Sequence, residues 1–333
     1  MKRLLILVLL VLTLQYTYGQ DVIFSQNFLV PETLNTSFTG ALRSSKTGSV
    51  HRSQWRNASF KTSTNFVFFD TWFEEYKTGI GVSFLNQTES ASTYTFNQIN
   101  FNYSMAFQIS ESWFFRPSIS AGFGMKNYGF QNLLLEDQIN LNGGNINTSS
   151  IDPLLLRSHR NFFDFSSSIL FNNENSWIGF TVKHLNKPNI SLTANGNVPL
   201  AIFISTHAKV LLPIFNNYRY DFVGMSKLFL LSNFMLQDKF NRLDLGIQYV
   251  VDDRFSIGIL AASSPMQNTN QNTFISSVSS FFGVRSNGFR FGYSYDINTT
   301  KLLNTGGIHE FSVSYDFIAN IRRLERYRCV PFF

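Results

Sequence analysis

The sequence predicts an all-β fold, a transmembrane antiparallel β-barrel of about 14 strands, the even number that bacterial barrels use. Three observations predict it. The composition is aromatic and poor in charge: 37 Phe, 13 Tyr and 4 Trp bring aromatic residues to 16% of 333, while Asp, Glu, Lys and Arg reach only 14%, against about 25% in an ordinary soluble domain. The hydrophobic share is an ordinary 44%, so Ser, Thr, Asn, Gln and Gly have replaced charge. Long segments alternate between apolar and polar residues, and long and short connections alternate along the chain. A strand with lipid on one side and water on the other needs that balance and that period. The composition also excludes a disordered chain, which lacks aromatics, and a helical bundle, which is rich in Ala, Glu, Lys and Leu.

The elements follow in chain order. Lys2 and Arg3, the apolar run Leu4 to Leu14, and Thr17-Tyr18-Gly19 read as a secretory signal peptide over 1–19, with the mature chain beginning at Gln20. The run is too short for a spanning helix, and no later run reaches about 18 apolar residues. No Cys follows it, so no lipoprotein anchor is expected. Residues 20–48 form an N-terminal periplasmic or plug segment. It is too long and too apolar for a mere tail, because Phe24, Phe28, Leu29, Leu34 and Phe38 need burial.

Residues 49–317 carry the barrel, with strands expected over 49–56, 63–70, 78–87, 94–109, 112–127, 161–172, 176–185, 201–212, 219–231, 241–251, 255–263, 273–285, 289–298 and 308–317. The alternation is plain in Phe289, Phe291, Tyr293 and Tyr295 against Arg290, Gly292, Ser294 and Asp296. It recurs in Phe311, Val313, Tyr315 and Phe317 against Glu310, Ser312, Ser314 and Asp316. Nine or so residues of it match a tilted span of the bilayer. A soluble sandwich also alternates, but in shorter strands of about five or six residues. Tight turns are expected at Ser110-Glu111, Asn172 to Asn175, Asp252-Asp253 and Ser286-Asn287-Gly288, and long loops over 128–160, 186–200, 232–240, 264–272 and 299–307. Short turns belong on the periplasmic side, which puts both termini there. Trp72, Trp113 and Trp177, beside such turns, are expected to form an aromatic girdle. Residues 318–333 are a basic tail carrying Arg322, Arg323, Arg326 and Arg328.

The net charge of +6 is otherwise scattered, so nucleic-acid binding is not expected. A lone Cys329 excludes an internal disulfide and a Cys-based zinc site. His51, His159, His184, His207 and His309 share no ligand spacing, and no cofactor is expected. No nucleophile assembles with a base, so the chain is not read as an enzyme. Asp252-Asp253 reads as a hairpin turn and His309-Glu310 as the entry to a strand.

Several segments carry a family resemblance. They are Phe24-Ser25-Gln26, Leu34-Asn35 with Phe38-Thr39-Gly40, Arg52-Ser53-Gln54-Trp55, Gly79-Ile80-Gly81-Val82, Gly179 to Pro188, Phe291 to Asp296, Gly307 to Glu310 and the tail Cys329 to Phe333. Their order and spacing resemble the PorP/SprF family of Bacteroidota outer-membrane proteins. Thr36-Ser37 stands where the family has Pro-Ala, and Val330 splits its terminal Cys-Pro. The resemblance implies a role in type IX secretion and gliding. The partners it implies are other secretion components and a cognate cargo, a large adhesin or other protein with a conserved C-terminal domain, which is secreted and held at the surface. A general porin is the alternative.

Candidate contact residues for a partner or plug are Phe24, Ser25 and Gln26, the inward-facing Arg52, Gln54 and Arg56 with Trp55 turned to lipid, and the loop patch Leu133, Leu134 and Leu135. Lys183, Lys209, Arg242, Asp244, Arg290, Glu310 and Asp316 also fall on polar strand faces. They make either a hydrated charge network or a pocket for a plug or cargo segment. The apolar loop 128–160 either folds over the mouth or docks a partner.

Overall fold

The computed structural model describes residues 21–58, 60–129, 138–140, 145–146, 159–192, 196–213, 226–265, 275–299 and 305–317. The expected signal peptide, the basic tail and the Leu133–Leu135 patch lie outside these residues.

Fourteen long strands are present among the described residues: β1 Ser45–Gln54, β2 Thr62–Phe73, β3 Thr78–Glu89, β4 Thr95–Met105, β5 Phe114–Asn127, β6 His159–Asn172 and β7 Trp177–Lys183. They continue with β8 Phe203–Leu211, β9 Ser226–Gln237, β10 Phe240–Val251, β11 Phe255–Ser263, β12 Ile275–Ser286, β13 Phe289–Asn298 and β14 Ile308–Phe317. After a break at Ala106, Phe107–Gln108 resumes the pairing of β4 with β5. A small pair, Ile139–Asn140 with Asn145–Ile146, stands apart in the expected long loop. Each strand pairs antiparallel with its sequence neighbours, and β1 pairs with β14 from Ser45↔Phe317 to Gln54↔Ile308. The sheet is therefore a closed barrel with no edge to leave backbone groups unpaired in lipid.

Its polarity is inside-out. Phe101, Ile119, Phe163, Ile257, Ile259 and Phe311 stand exposed on the outer face. Lys46, Arg52, Asp70, Arg116, Asp164, Lys209, Asp244 and Glu310 are buried on the inner face. The alternation that defined the strands thus sorts lipid-facing from interior residues. Asp252 and Asp253 both adopt positive φ, 53° and 51°, and make the tight turn between β10 and β11.

Three details differ from the sequence expectation. The ninth strand runs Ser226–Gln237 instead of 219–231, and Asp238–Lys239 turn directly into β10 where a long loop was expected. The long connection is 212–225, at the other rim. The cause is Leu228 to Leu231, apolar on both faces, followed by Ser232 and Asn233, whose polarity imitates a loop; Asn233 in fact points inward and is fully buried. Trp177 and Trp72 do not belong to a girdle. Trp177 is 2% exposed and faces inward. The Arg116 guanidinium, itself buried, sits 5.5 Å from the Trp72 ring centroid. Finally, β1 ends at Gln54, and Trp55 has a φ of 60°, so the strand register stops before Trp55 and Arg56. Trp55 stacks edge-on against Phe60 at 5.3 Å in the turn instead of extending the lipid face.

Candidate functional site

The interior of the barrel is occupied by residues 21–44. Two single 3₁₀ turns shape this segment, Pro31–Thr33 with proline at its start and Thr36–Phe38 capped by Asn35, whose side chain accepts from the Ser37 N–H at 2.7 Å. The segment touches inward side chains on opposite walls. Ser25 and Gln26 reach β13 and β14, Asn35 reaches β6 and β8, Thr36 and Ser37 reach β5, and Gly40 reaches β2. Only a position inside the barrel permits all of these.

An ionic cluster on β14 holds the first part. The backbone N–H groups of Ser25 and Gln26 both donate to the Glu310 carboxylate at 2.9–3.0 Å. The Gln26 side chain donates to the Glu310 carbonyl at 2.8 Å and accepts from the Ser312 hydroxyl at 2.6 Å. Arg52 pairs with Glu310, and the Ser25 hydroxyl donates to Asp296. Glu310 is 0% exposed. A buried carboxylate is tolerable only when its lone pairs are met. Here they are met by an arginine and two backbone amides of the internal segment.

Polar contacts fasten the remainder. The Gly40 N–H donates to Asp70 at 2.9 Å, and Lys46 pairs with Glu32 at 2.7 Å. The Ser104 hydroxyl donates to the Thr39 carbonyl at 2.6 Å. Asn35 sits 2.9 Å from His207 Nε2. Between these points, Phe28 stacks on Trp177 at 5.9 Å, Phe38 meets it edge-on at 5.1 Å, and Phe24 packs against Phe66. Aromatic pairs in these geometries add to the burial of their area.

The segment comes so close to the wall that several inward positions have no room for a Cβ. One on Gly79 would fall 2.2 Å from the Thr39 carbonyl oxygen, and one on Gly292 would fall 2.5 Å from Gln26 Oε1. A Cβ on Gly179 would meet Asn35 Nδ2 at 2.7 Å and His207 Nε2 at 2.3 Å. Gly40 itself needs a φ of 67°, which favours glycine. Gly79→Ala should accordingly force the backbone of the segment to shift and cost about 1–3 kcal/mol, as overpacking does. Gly124→Ala, which meets only the Phe162 ring, is the control for a wall position away from the segment. Protease sensitivity of the N-terminal segment in vesicle-embedded protein reads the difference.

At the long-loop rim, Asp21 anchors the start of the segment. Its carboxylate lies 2.8 Å from His184 Nε2 and 3.7 Å from Lys183 Nζ, and its backbone N–H donates to Gln237. His184 follows the last residue of β7, and its Nδ1 lies 2.9 Å from Asp164. Burial by itself pushes the Asp21 carboxyl up, but the charge and hydrogen bond of His184, with Lys183, hold it well below the usual carboxylate range. Burial by itself lowers His184, yet Asp21 and Asp164 raise it to about 9. A raised histidine stabilises the folded state most below its unfolded value and loses that contribution as pH rises through 9. The lowered Asp21 contributes above its unfolded value and fails only in strong acid. Release of residues 21–24 should therefore set in as pH rises from about 6.5 through about 9, read as new proteolytic cutting at that end. His184→Gln should abolish the transition.

Beside the segment, a cavity of about 110 Å³ remains between it and β2 to β7, walled by Gln98, Asn100, Asn102, Ser166, Lys126 and Phe96 among others. Among the described residues no group of three His, Cys, Asp or Glu side chains is arranged to hold a metal ion.

Of the candidate contact residues, Phe24 packs against Phe66, while Ser25, Gln26 and Arg52 come together at Glu310. Gln54 joins them, accepting from Arg52 at 3.3 Å. Arg56 does not: it stands exposed in the turn after β1. Glu310 was among the polar-face residues read as either a charge network or a plug pocket, whereas Asp296, Asp70, Asp21 and His184 were not singled out as contacts. Their signal was available only as polar residues on inward faces, because their partners lie far off in sequence.

A family model described as type IX secretion system membrane protein PorP/SprF matches residues 16–315. No curated protein matches the chain. Among solved structures, the outer membrane protein Omp33 of Acinetobacter baumannii is similar at 7% identity and a TM-score of 0.43, over 83% of this chain and 98% of that one. The P. putida toluene transporter TodX is similar at 6% identity and a TM-score of 0.44, over 86% of this chain and 94% of that one.

Proposed function

The chain belongs to the PorP/SprF family of type IX secretion system membrane proteins, and from that premise we propose that this outer-membrane barrel supports the secretion and surface attachment of a cognate cargo protein. It does so by recognition, not by conduction or catalysis. The observation that carries the reading is the packing of residues 21–44 inside the barrel, fastened by Glu310, Asp296, Asp70 and Asp21. A general porin needs a water-filled lumen. This one is taken up by the chain's own N-terminal segment, which acts as a plug. The surfaces left for recognition are the rims, and a partner that buried Leu133, Leu134 and Leu135, which lie in the sequence between β5 and β6, would gain about 1.5–3 kcal/mol for each.

Deleting the gene should remove one large protein from the cell surface and leave small-solute uptake normal. Replacing Leu133, Leu134 and Leu135 with Ser should weaken that display while the barrel stays folded. Purified intact protein should show no steady conductance in planar bilayers. A deletion strain that displays all its surface proteins but fails to take up a small nutrient would instead establish the porin reading.

A further inference from the structure

The cavity beside the internal segment is a shaft closed at its foot. It follows the β2–β7 wall from Ser120, at the middle of β5, up to Lys126, next to the last residue of that strand at the long-loop rim. Six residues tilted by about 40° make it about 15 Å deep. Thr36, bonded to Ser118, stands at its foot. Beyond it on the short-turn side, beside Thr39 and Phe68, only about 10 Å³ is free. The 110 Å³ of the shaft has room for on the order of eight waters, about the space of one sugar ring.

The wall is rich in amides. β4 turns Gln98, Asn100 and Asn102 inward in succession. Gln98 donates to Asn100 Oδ1 at 2.8 Å, and Asn102 accepts from the Ser120 hydroxyl at 2.7 Å. Gly122 on β5 leaves this column its room, because a Cβ there would collide with Asn100 Oδ1 and Gln98 Nε2. Hydrogen-bonding capacity is left over. Among the described residues the side chains of Gln87, Ser166 and Thr181 have no partner, nor has Gln98 Oε1, and Thr181 is 1% exposed. Buried polar groups need partners. Ring surface from Phe24, Phe66, Tyr94 and Phe96 lines the same space. Apolar walls with a few placed polar groups are what a small-ligand site uses.

A charge is left over as well. Asp21 and Asp164 are engaged by Lys183 and His184, and Glu32 by Lys46. Lys126 has no carboxylate within 4 Å among the described residues. Its ammonium lies 5.4 Å and 5.8 Å from the ring centroids of Phe96 and Phe162.

We propose that the shaft binds the terminal unit of an acidic saccharide, with its carboxylate on Lys126, its hydroxyls on the amides of β4 and its C–H face against the rings. A pyranose has the matching surface: hydroxyls that donate and accept, as an amide does, around an apolar ring face. An extended peptide fits less well, because sheets capture peptide backbones on a free strand edge, and this barrel has none. The inference does not rest on the cargo reading, so sugar binding and surface display can fail separately.

Calorimetric titration of the intact protein in phospholipid nanodiscs tests it. The probes are cellobiouronic acid and cellobiose, which carries a hydroxymethyl group in place of the carboxylate. The acid should bind at least tenfold more tightly. Lys126→Gln should bring the acid down to the level of the neutral sugar, and Lys126→Arg should keep the preference. Gly122→Ala should weaken both sugars tenfold or more while the barrel stays heat-modifiable. Fatty-acid and sugar analysis of protein extracted from its own membranes then separates a glycolipid headgroup, which brings acyl chains, from a free polysaccharide. The proposal would be overturned by no binding to the folded protein, by equal affinity for the two sugars, or by displacement of the acid by acetate at equal concentration. Undiminished binding in folded Lys126→Gln or Gly122→Ala would overturn it too.

Discussion

Glu310→Ala should destabilise the protein by about 3–5 kcal/mol and release the N-terminal segment from the barrel. The size follows from what is left behind. Arg52, 6% exposed, loses its closest counter-charge, and removing one member of a buried pair costs in that range because the other charge stays buried. Asp296, 4.0 Å from the Arg52 guanidinium, offsets part of this. The N–H groups of Ser25 and Gln26 lose their acceptor at the same time. Unfolding in lipid vesicles gives the stability change, and planar-bilayer recording gives the release, as conductance absent from the parent protein. The double variant Arg52→Met with Glu310→Met should recover most of the stability, since apolar replacement of a buried pair is often neutral. It should still conduct, because the amides of Ser25 and Gln26 stay unmet. Full stability with a closed lumen in Glu310→Ala would show that the segment is held elsewhere.

Ile259→Arg should cost about 2–4 kcal/mol, the price of a cation at the bilayer midplane on a barrel's lipid face. Ile259 is the middle residue of β11 and 54% exposed, flanked across the ladder by Ile247 and Ser280. Phe255→Arg, on the same face at the strand's first residue, should cost only about 0–1 kcal/mol, as near an interface. The ratio between the two is the informative quantity. Equal costs would mean that the strand does not cross the membrane along its length.

How far such positions could be read from sequence depended on how cleanly polarity alternates. Strands over 255–263, 289–298 and 308–317 were legible to the residue, because an aromatic or aliphatic side chain falls on every second position. Leu228 to Leu231 offered no alternation, and the strand that holds them was misplaced by its polar half. Trp177 was read by its nearness to a turn, whereas its register with Gly179 and Thr181 already placed it inward. The burial of Phe24, Phe28 and Phe38 was legible as a need, since nothing else in a charge-poor chain explains such a cluster ahead of the first strand. What met that need was not: Ser25 and Glu310 are 285 residues apart, and no local pattern links them. The glycines of the recognisable segments make the connection in hindsight. Gly79, Gly179 and Gly292 are the places where the wall gives way to the segment.

The bond between Ser25 and the last strand also sets an order of events. The chain enters β1 only at Ser45, yet the amides just before it find their acceptor on β14, after every intervening strand has been laid down. Contacts of such separation form late, because the loop they close must first be ordered. Arg52 on β1 and Glu310 on β14 become ladder neighbours only when the two strands zip together. The acceptor for Ser25 and Gln26 is thus charge-balanced only in a finished cylinder. An incomplete barrel lacks the charge-balanced acceptor, so the internal segment can dock fully only after β1 and β14 have closed the cylinder.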